Sequence, residues 1–337
     1  MKNISPLVYG MVLCCSISFC SGQNRYRKTV QQAIGIAKAH SINTKRLDWP
    51  AIEKDIHRKA GGLCSEKDIY PVLQALVDRL EDRHSYVITA GGERWHKLSE
   101  EIRTDSEMVP PPEQFKKLKI AYVAVNPMSS AGKNRMDAYA DDLFHAILSA
   151  CQKDMTGWIL DFRENTGGQL WPMLAGLSPL IDSDTAGCAV YPDGNGWQWW
   201  ARRGKAGVDV NIHHQIENAG GTTCMEKKPV AILIGPRTAS SGEASVISFI
   251  GKENVCLIGE RTRGLATVNQ PYELANGAKL MLTTAYFGDR NSRIYPDGIE
   301  PDIVVPGGNE NRPDADIQLI AAMDWLLSFR RVSGQGE

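Results

Sequence analysis

The order of sequence patterns predicts an α/β fold preceded by a small helical bundle. Three observations carry this. Apolar runs of strand length, Ile120–Val125, Trp158–Phe162 and Pro229–Ile234, alternate with segments of helical spacing, Arg135–Cys151, Gln169–Ile181 and Glu243–Ile250. Helix-like segments, and no strand-like ones, fill the region before residue 85. One stretch, Ala189–Thr223, breaks the rhythm and reads as an inserted β-rich region. At 337 residues the chain can bury a sizeable core, and its net charge of −1 gives no electrostatic footprint for nucleic acid.

Lys2, the mostly apolar Ile4–Cys20 and the small Ser21-Gly22 read as a secretory signal ending near Gly22. The expected division is therefore a signal at 1–22, a helical bundle at 23–84 and a core at 85–337, with 189–223 as a cap. Two alternatives stay open. The run is retained as a membrane tether, although it is short for a span of ~20 residues. Or Cys20 carries a lipid, although Phe19 suits that poorly. Each places the mature protein outside the cytoplasm, in the periplasm or the medium.

Of the eight cysteines, Cys64, Cys151, Cys188, Cys224 and Cys256 follow the leader, and none has C-x-x-C spacing. An oxidising compartment permits a Cys188–Cys224 bridge across the irregular insertion, and buried thiols are the other reading.

In the bundle, Arg25–Ile42 has apolar residues at helical spacing. Asp48-Trp49-Pro50 starts a helix that Gly61-Gly62 ends, and Ser65 opens a third with an apolar face from Ile69 to Leu80. That helix leads into Glu81-Asp82-Arg83-His84-Ser85. Val87–Leu118 is polar and Pro-rich. Within the insertion lie Trp197, Trp199 and Trp200, aromatics suited to gripping apolar peptide side chains or to packing the insertion down. His213-His214 do not form a metal pair, because neighbours on a strand face opposite sides. Leu280–Tyr286 reads as a strand, Ile303–Val305 as an edge and Asp314–Phe329 as a closing helix.

The chemistry is expected at Gly235-Pro236-Arg237-Thr238-Ala239-Ser240-Ser241-Gly242-Glu243. A serine between a buried strand and a helix start sits beside unpaired N–H groups that can hold an oxyanion. Ser240-x-x-Glu243 is equally the pattern of a capping box, which needs no catalysis. The accompanying segments separate the two readings. They are Trp158–Phe162 followed by Arg163-Glu164-Asn165-Thr166-Gly167-Gly168, then Gly259-Glu260-Arg261-Thr262-Arg263-Gly264, and Pro296-Asp297-Gly298-Ile299-Glu300-Pro301.

In that order, from Leu63 to Val305, the segments resemble the C-terminal-processing, or tail-specific, serine peptidases, the family that includes the tricorn core protease. The resemblance implies a Clp-protease/crotonase-like core with Ser240 as nucleophile. It puts the Ser241 N–H, with one from Gly167 or Gly168, in the oxyanion hole. Many members carry a PDZ domain where this chain has Val87–Leu118, too short for a domain of ~50 residues. Those members use a lysine base at the position of Leu265, with a glutamine where Asn269 stands. Leucine cannot take a proton, and Arg261 and Arg263 stay charged. The tricorn-like branch uses a histidine from an Asp-Gly-His-Ser segment, which Asp82-Arg83-His84-Ser85 matches except at Arg83. His84 is thereby the expected base, with Asp82, Glu243 or Glu300 orienting it. No cofactor is called for, and the substrate would be a peptide or protein tail. An unshifted histidine would put an acidic limb between about pH 6 and 7.5. Two other readings stay open: an inactive binding module on this scaffold, and a protease dedicated to resistance against one peptide.

Overall fold

The computed structural model describes residues 25–95, 113–128, 132–151, 154–217, 219, 228–307 and 316–333. The signal, Pro110–Pro112 and Cys224 lie outside these. The chain forms two compact units, each built from separated segments.

The N-terminal unit holds the described residues up to 95, Tyr191–Asp193 and Val268–Ala285. Helix α1 covers residues 25–40, α2 Trp49–Ala60 and α3 Glu66–Asp78. Asp48 caps α2 through the Ala51 N–H, and Pro50 sits where its missing N–H costs nothing. Ser65 and Asp68 form the capping box of α3. The three helices do not close a core alone. Ile34, Ile52, Ile56, Leu73 and Leu76 pack with Leu274, Leu280 and Leu282 from far along the chain. The last two lie on β11 (Lys279–Gly288), which pairs antiparallel with β1 (Tyr86–Ile88) and also pairs with β10 (Thr267–Glu273). The expected bundle boundary at residue 84 is therefore not where this unit ends.

In the larger unit a five-stranded sheet runs in the order β12 (Ile303–Val304), β9 (Val255–Gly259), β8 (Val230–Ile234), β3 (Gly157–Asp161), β2 (Ile120–Ala124), every pair parallel. Such a sheet is covered on both faces, which is why β8 is apolar throughout rather than alternating. Leu319, Ala322 and Leu326 of α8 (Ile317–Ser333) pack on Ile159, Ala231 and Leu233, with Phe115 of α4 (Glu113–Lys117) in the same cluster. Helices α5 (Lys133–Ala150) and α6 (Leu170–Ile181) pack together, so close that a Cβ on Gly176 would meet Leu143 at 2.9 Å.

The expected insertion begins earlier than residue 189. It is an antiparallel meander of β4 (Ser183–Val190), β5 (Gly196–Arg202), β6 (Lys205–Val208) and β7 (Asn211–Gln215). Strands β5, β6 and β7 pack on α6, and Tyr286–Gly288 of β11 pairs with β4. The short helix α7 (Ser241–Ile247) follows β8 and stops three residues before the expected end.

Candidate active site

Strand β8 runs out at Ile234, and Thr238 ties the following turn down from several sides. Its Oγ1 accepts the Gly235 N–H and donates to the Phe162 carbonyl, and its own carbonyl accepts from Arg263 N–H. Ser240 follows with φ 54° and ψ −119°, a conformation that L-residues rarely hold. Such an outlier costs on the order of 1–3 kcal/mol and persists only where its surroundings enforce it. An ordinary N-cap serine is extended instead. Glu243 reaches back to the Ser240 N–H at 2.9 Å, and the two residues have the form of a capping box at the start of α7, so it is the backbone conformation that sets this serine apart from an ordinary cap. The serine is half-buried at the surface of its unit.

Asn165 joins this turn to the glycine pair. Its carbonyl accepts the Ala239 N–H at 2.9 Å, its Oδ1 accepts the Gly167 N–H at 2.9 Å, and its Nδ2 donates to Val125. Gly167 has φ 98° and lies directly on the serine, where a Cβ would come within 2.8 Å of both the Ala239 oxygen and Ser240 Cβ. Because Asn165 takes its N–H, Gly167 is not the available donor of the pair. The Gly168 and Ser241 N–H groups meet no hydrogen-bond acceptor among the described residues. The Ser241 hydroxyl donates to the Gly168 carbonyl at 2.7 Å, holding those two residues together.

Glu243 is fully buried, and its carboxylate accepts four hydrogen bonds. Oε1 takes the Thr262 hydroxyl (2.5 Å) and the Gly264 N–H (3.0 Å); Oε2 takes the Ser240 N–H (2.9 Å) and the Leu265 N–H (2.8 Å). Desolvation raises its pKa, and the four donors oppose that. Thr262 Oγ1 itself accepts from Ile299 N–H, so its hydrogen is directed at the carboxylate. Three backbone N–H groups and one hydroxyl converge on the carboxylate, an arrangement that favours its ionised form against the cost of burial. With every lone pair engaged, Glu243 is not free to orient an imidazole. Glu300 pairs with Arg261 at 3.0 Å, and both side chains are exposed.

His84, in the N-terminal unit, lies in a turn held from two directions. Asp82 accepts the His84 N–H (3.0 Å), the Ser85 N–H (2.6 Å) and the Ser85 hydroxyl (2.8 Å). These bonds set the turn's backbone, a different task from gripping the ring. From the other side Asn269 Nδ2 donates to the His84 carbonyl at 2.7 Å. Thr283 Oγ1 lies 2.9 Å from Asn269 Oδ1 and 3.0 Å from Asp82 Oδ1, completing the frame. Desolvation holds the imidazole down to a pKa of about 4, and the nearby Arg94 guanidinium, stacked on Tyr86, presses the same way.

The three tryptophans divide. Trp199 is wholly buried, its indole N–H donating to Ser248 Oγ at 2.9 Å, so it packs the core and offers nothing to a substrate. Trp200, on the opposite face, donates to the Asp209 carbonyl. Trp197 is half-buried beside Trp171, which stacks on His213 at 4.4 Å. His214 instead approaches Asp137. Cys188 is a free buried thiol, which removes the bridge to Cys224; Cys151 is the disulfide-bonded residue.

Sequence reading missed Asn165, Thr262 and the structural part played by Asn269. Only their places beside Gly167-Gly168, Arg261 and the absent lysine marked them.

A strained serine at a βα turn of a parallel sheet, next to N–H groups that meet no acceptor among the described residues, is an arrangement suited to holding an oxyanion. The chain belongs to peptidase family S41, whose profile matches residues 119–305, and its core is the Clp-protease/crotonase-like one expected. It is 33% identical to the nisin-resistance protein of Lactococcus lactis subsp. lactis over 57% of each chain. A carboxyl-terminal-processing protease of Synechocystis sp. is 26% identical over 59% of this chain and 44% of its own. The chain thus spans about half the length of these curated relatives. A lipoprotein structure from Streptococcus agalactiae shares the fold with a TM-score of 0.69 at 23% identity, covering 97% of this chain and 99% of that one.

Proposed function

We propose that this chain is an exported serine endopeptidase that cuts extended peptides or protein tails. The observation that carries the reading is the positive-φ Ser240, followed by the Ser241 N–H and near the Gly168 N–H, neither of which meets an acceptor among the described residues. A cap or a packing serine has no need of that strain. Ser240 Oγ attacks the scissile carbonyl carbon while His84 takes its proton. The developing oxyanion is held by the Ser241 and Gly168 N–H groups. Collapse breaks the C–N bond as His84 returns the proton to the leaving amine. Water, deprotonated by His84, then hydrolyses the acyl-enzyme. Gly167 takes no part as a donor and serves by its close approach to Ser240.

The relative's name supports a second, narrower reading, a protease dedicated to destroying one peptide antibiotic. Export is supported by the apolar leader and by the disulfide at Cys151, a bond that persists in oxidising compartments. Among the described residues no helix is long and apolar enough to cross a membrane.

The test is a peptide library, with nisin included, incubated with mature protein and with Ser240→Ala and analysed by mass spectrometry. Cleavage by the first alone supports the reading. Equal product from both, or none from either together with no fluorophosphonate labelling of Ser240, sinks it and favours a binding module.

A further inference from the structure

We infer that Glu243 is a positioning residue that holds Ser240 in its strained attacking conformation through the hydrogen bond from the Ser240 N–H to Glu243 Oε2. The inference rests on Ser240 being the nucleophile.

Ser240 cannot keep φ 54° unaided, since its backbone would relax to an extended or helical well. A φ value is a main-chain property, so the restraint that matters acts through the backbone on either side of the residue. Ala239 is fixed by Asn165, and the next fixed point is the Ser240 N–H itself on Glu243. A carboxylate placed there does more than a cap. The same Oε2 takes the Leu265 N–H, while Oε1 takes Gly264 N–H and Thr262 hydroxyl, so one buried anion binds the serine turn to the segment 262–265. That segment is where the resemblance places the lysine of other members. The carboxylate is thus an anchor between two parts of the site. Its charge is balanced by dipoles, including the positive end of α7, where it occupies the third helical position. A purely structural Glu would bond the loop and leave the Ser240 N–H to another acceptor.

The experiment compares mature wild type, Glu243→Leu and Glu243→Gln by rate of fluorophosphonate labelling, by kcat and KM on a cleaved peptide, and by thermal melting. Glutamine can keep an acceptor oxygen at Ser240 and Leu265, because the Thr262 hydroxyl can turn to accept from its amide, while the Gly264 N–H loses its acceptor. Labelling within about 10-fold of wild type is expected for Glu243→Gln, and a loss of about 10²-fold for Glu243→Leu, since small misplacements of reacting groups cost that much. KM should stay within about 3-fold, the signature of a group that acts on the chemical step. If Glu243→Leu does not fold, Glu243→Asp replaces it; its charge remains, its reach is one methylene short, and the same loss is expected. A folded Leu or Asp variant that labels and turns over like wild type overturns the inference, as does Gln failing as badly as Leu. Absence of labelling and cleavage in wild type would instead overturn the nucleophile assignment beneath it.

Discussion

Asn269 donates its side-chain N–H to the carbonyl of His84 at 2.7 Å, across a gap of 185 residues in sequence. By the resemblance, Asn269 stands where lysine-using members carry a glutamine. Its task here is to pin a histidine's main chain.

If His84 is the base, as proposed, Asn269→Ala should lower kcat by about 10-fold with little change in KM, because the loosened ring is slightly misplaced. The lost hydrogen bond should cost about 1 kcal/mol of stability. Steady-state kinetics beside thermal melting checks both, and unchanged kcat would remove Asn269 from the account.

The pH profile follows from the environment of His84. Desolvation and Arg94 hold its pKa at about 4, below the ordinary value of ~6.5. A general base acts when neutral, so kcat/KM should stay flat down to about pH 5 and fall as pH passes through about 4. This moves the limb to lower pH than the 6–7.5 an unshifted histidine would give. The linkage has the matching sign. Between the folded and unfolded pKa values the unfolded chain binds more protons, so stability falls as pH drops from 6.5 toward 4. A limb centred near 6.5, seen in wild type and lost in His84→Ala, would show that the ring is solvated.

Gly167→Ala places a methyl 2.8 Å from both the Ala239 oxygen and Ser240 Cβ, at a φ of 98° that alanine disfavours. Loss of fluorophosphonate labelling by about 10²-fold is expected, through displacement of the serine. Retained labelling would mean the turn can yield without moving the hydroxyl.

Trp199→Ala should cost about 3–5 kcal/mol, as expected for emptying a buried aromatic site, while Trp197→Ala should leave melting nearly unchanged. If the half-buried Trp197 touches substrate, its variant raises KM and leaves kcat in place. Equal loss of stability in both variants would contradict the burial difference between them.

Alkylation should modify Cys64 in the native protein, since it is exposed, and Cys188 and Cys256 only after denaturation, since both are buried. Cys151 should react only after reduction. Modification of Cys151 without reductant would place the protein in a reducing compartment and count against export.

The parallel sheet was legible because strands covered on both faces read as unbroken apolar runs, as Val230–Ile234 does. The strand–turn–helix junction that carries Ser240 was legible from its place between such a run and a capping pattern. What stayed hidden depends on three-dimensional partners. Nothing along the chain says that Asn165 takes the Gly167 N–H, or that Glu243 spends all its lone pairs on the turn and on Thr262, Gly264 and Leu265. The tryptophans misled for the same reason. Trp197 and Trp199 share a strand face, yet only Trp199 is sealed beneath Phe287 and bonded to Ser248. Cysteine spacing in sequence likewise carried no information on which thiols approach each other.

The helices that come first in the chain complete their hydrophobic core with Leu274, Leu280 and Leu282, and His84 is framed by Asn269 and Thr283. A polypeptide synthesised from its N-terminus therefore carries an unfinished first unit until residue 283 of 337 has emerged. Until then the leading segment has no closed core and the imidazole has no frame. On the proposed function, the candidate base is therefore assembled only late in synthesis, and on the proposed export route the leading segment reaches the pore without a closed core.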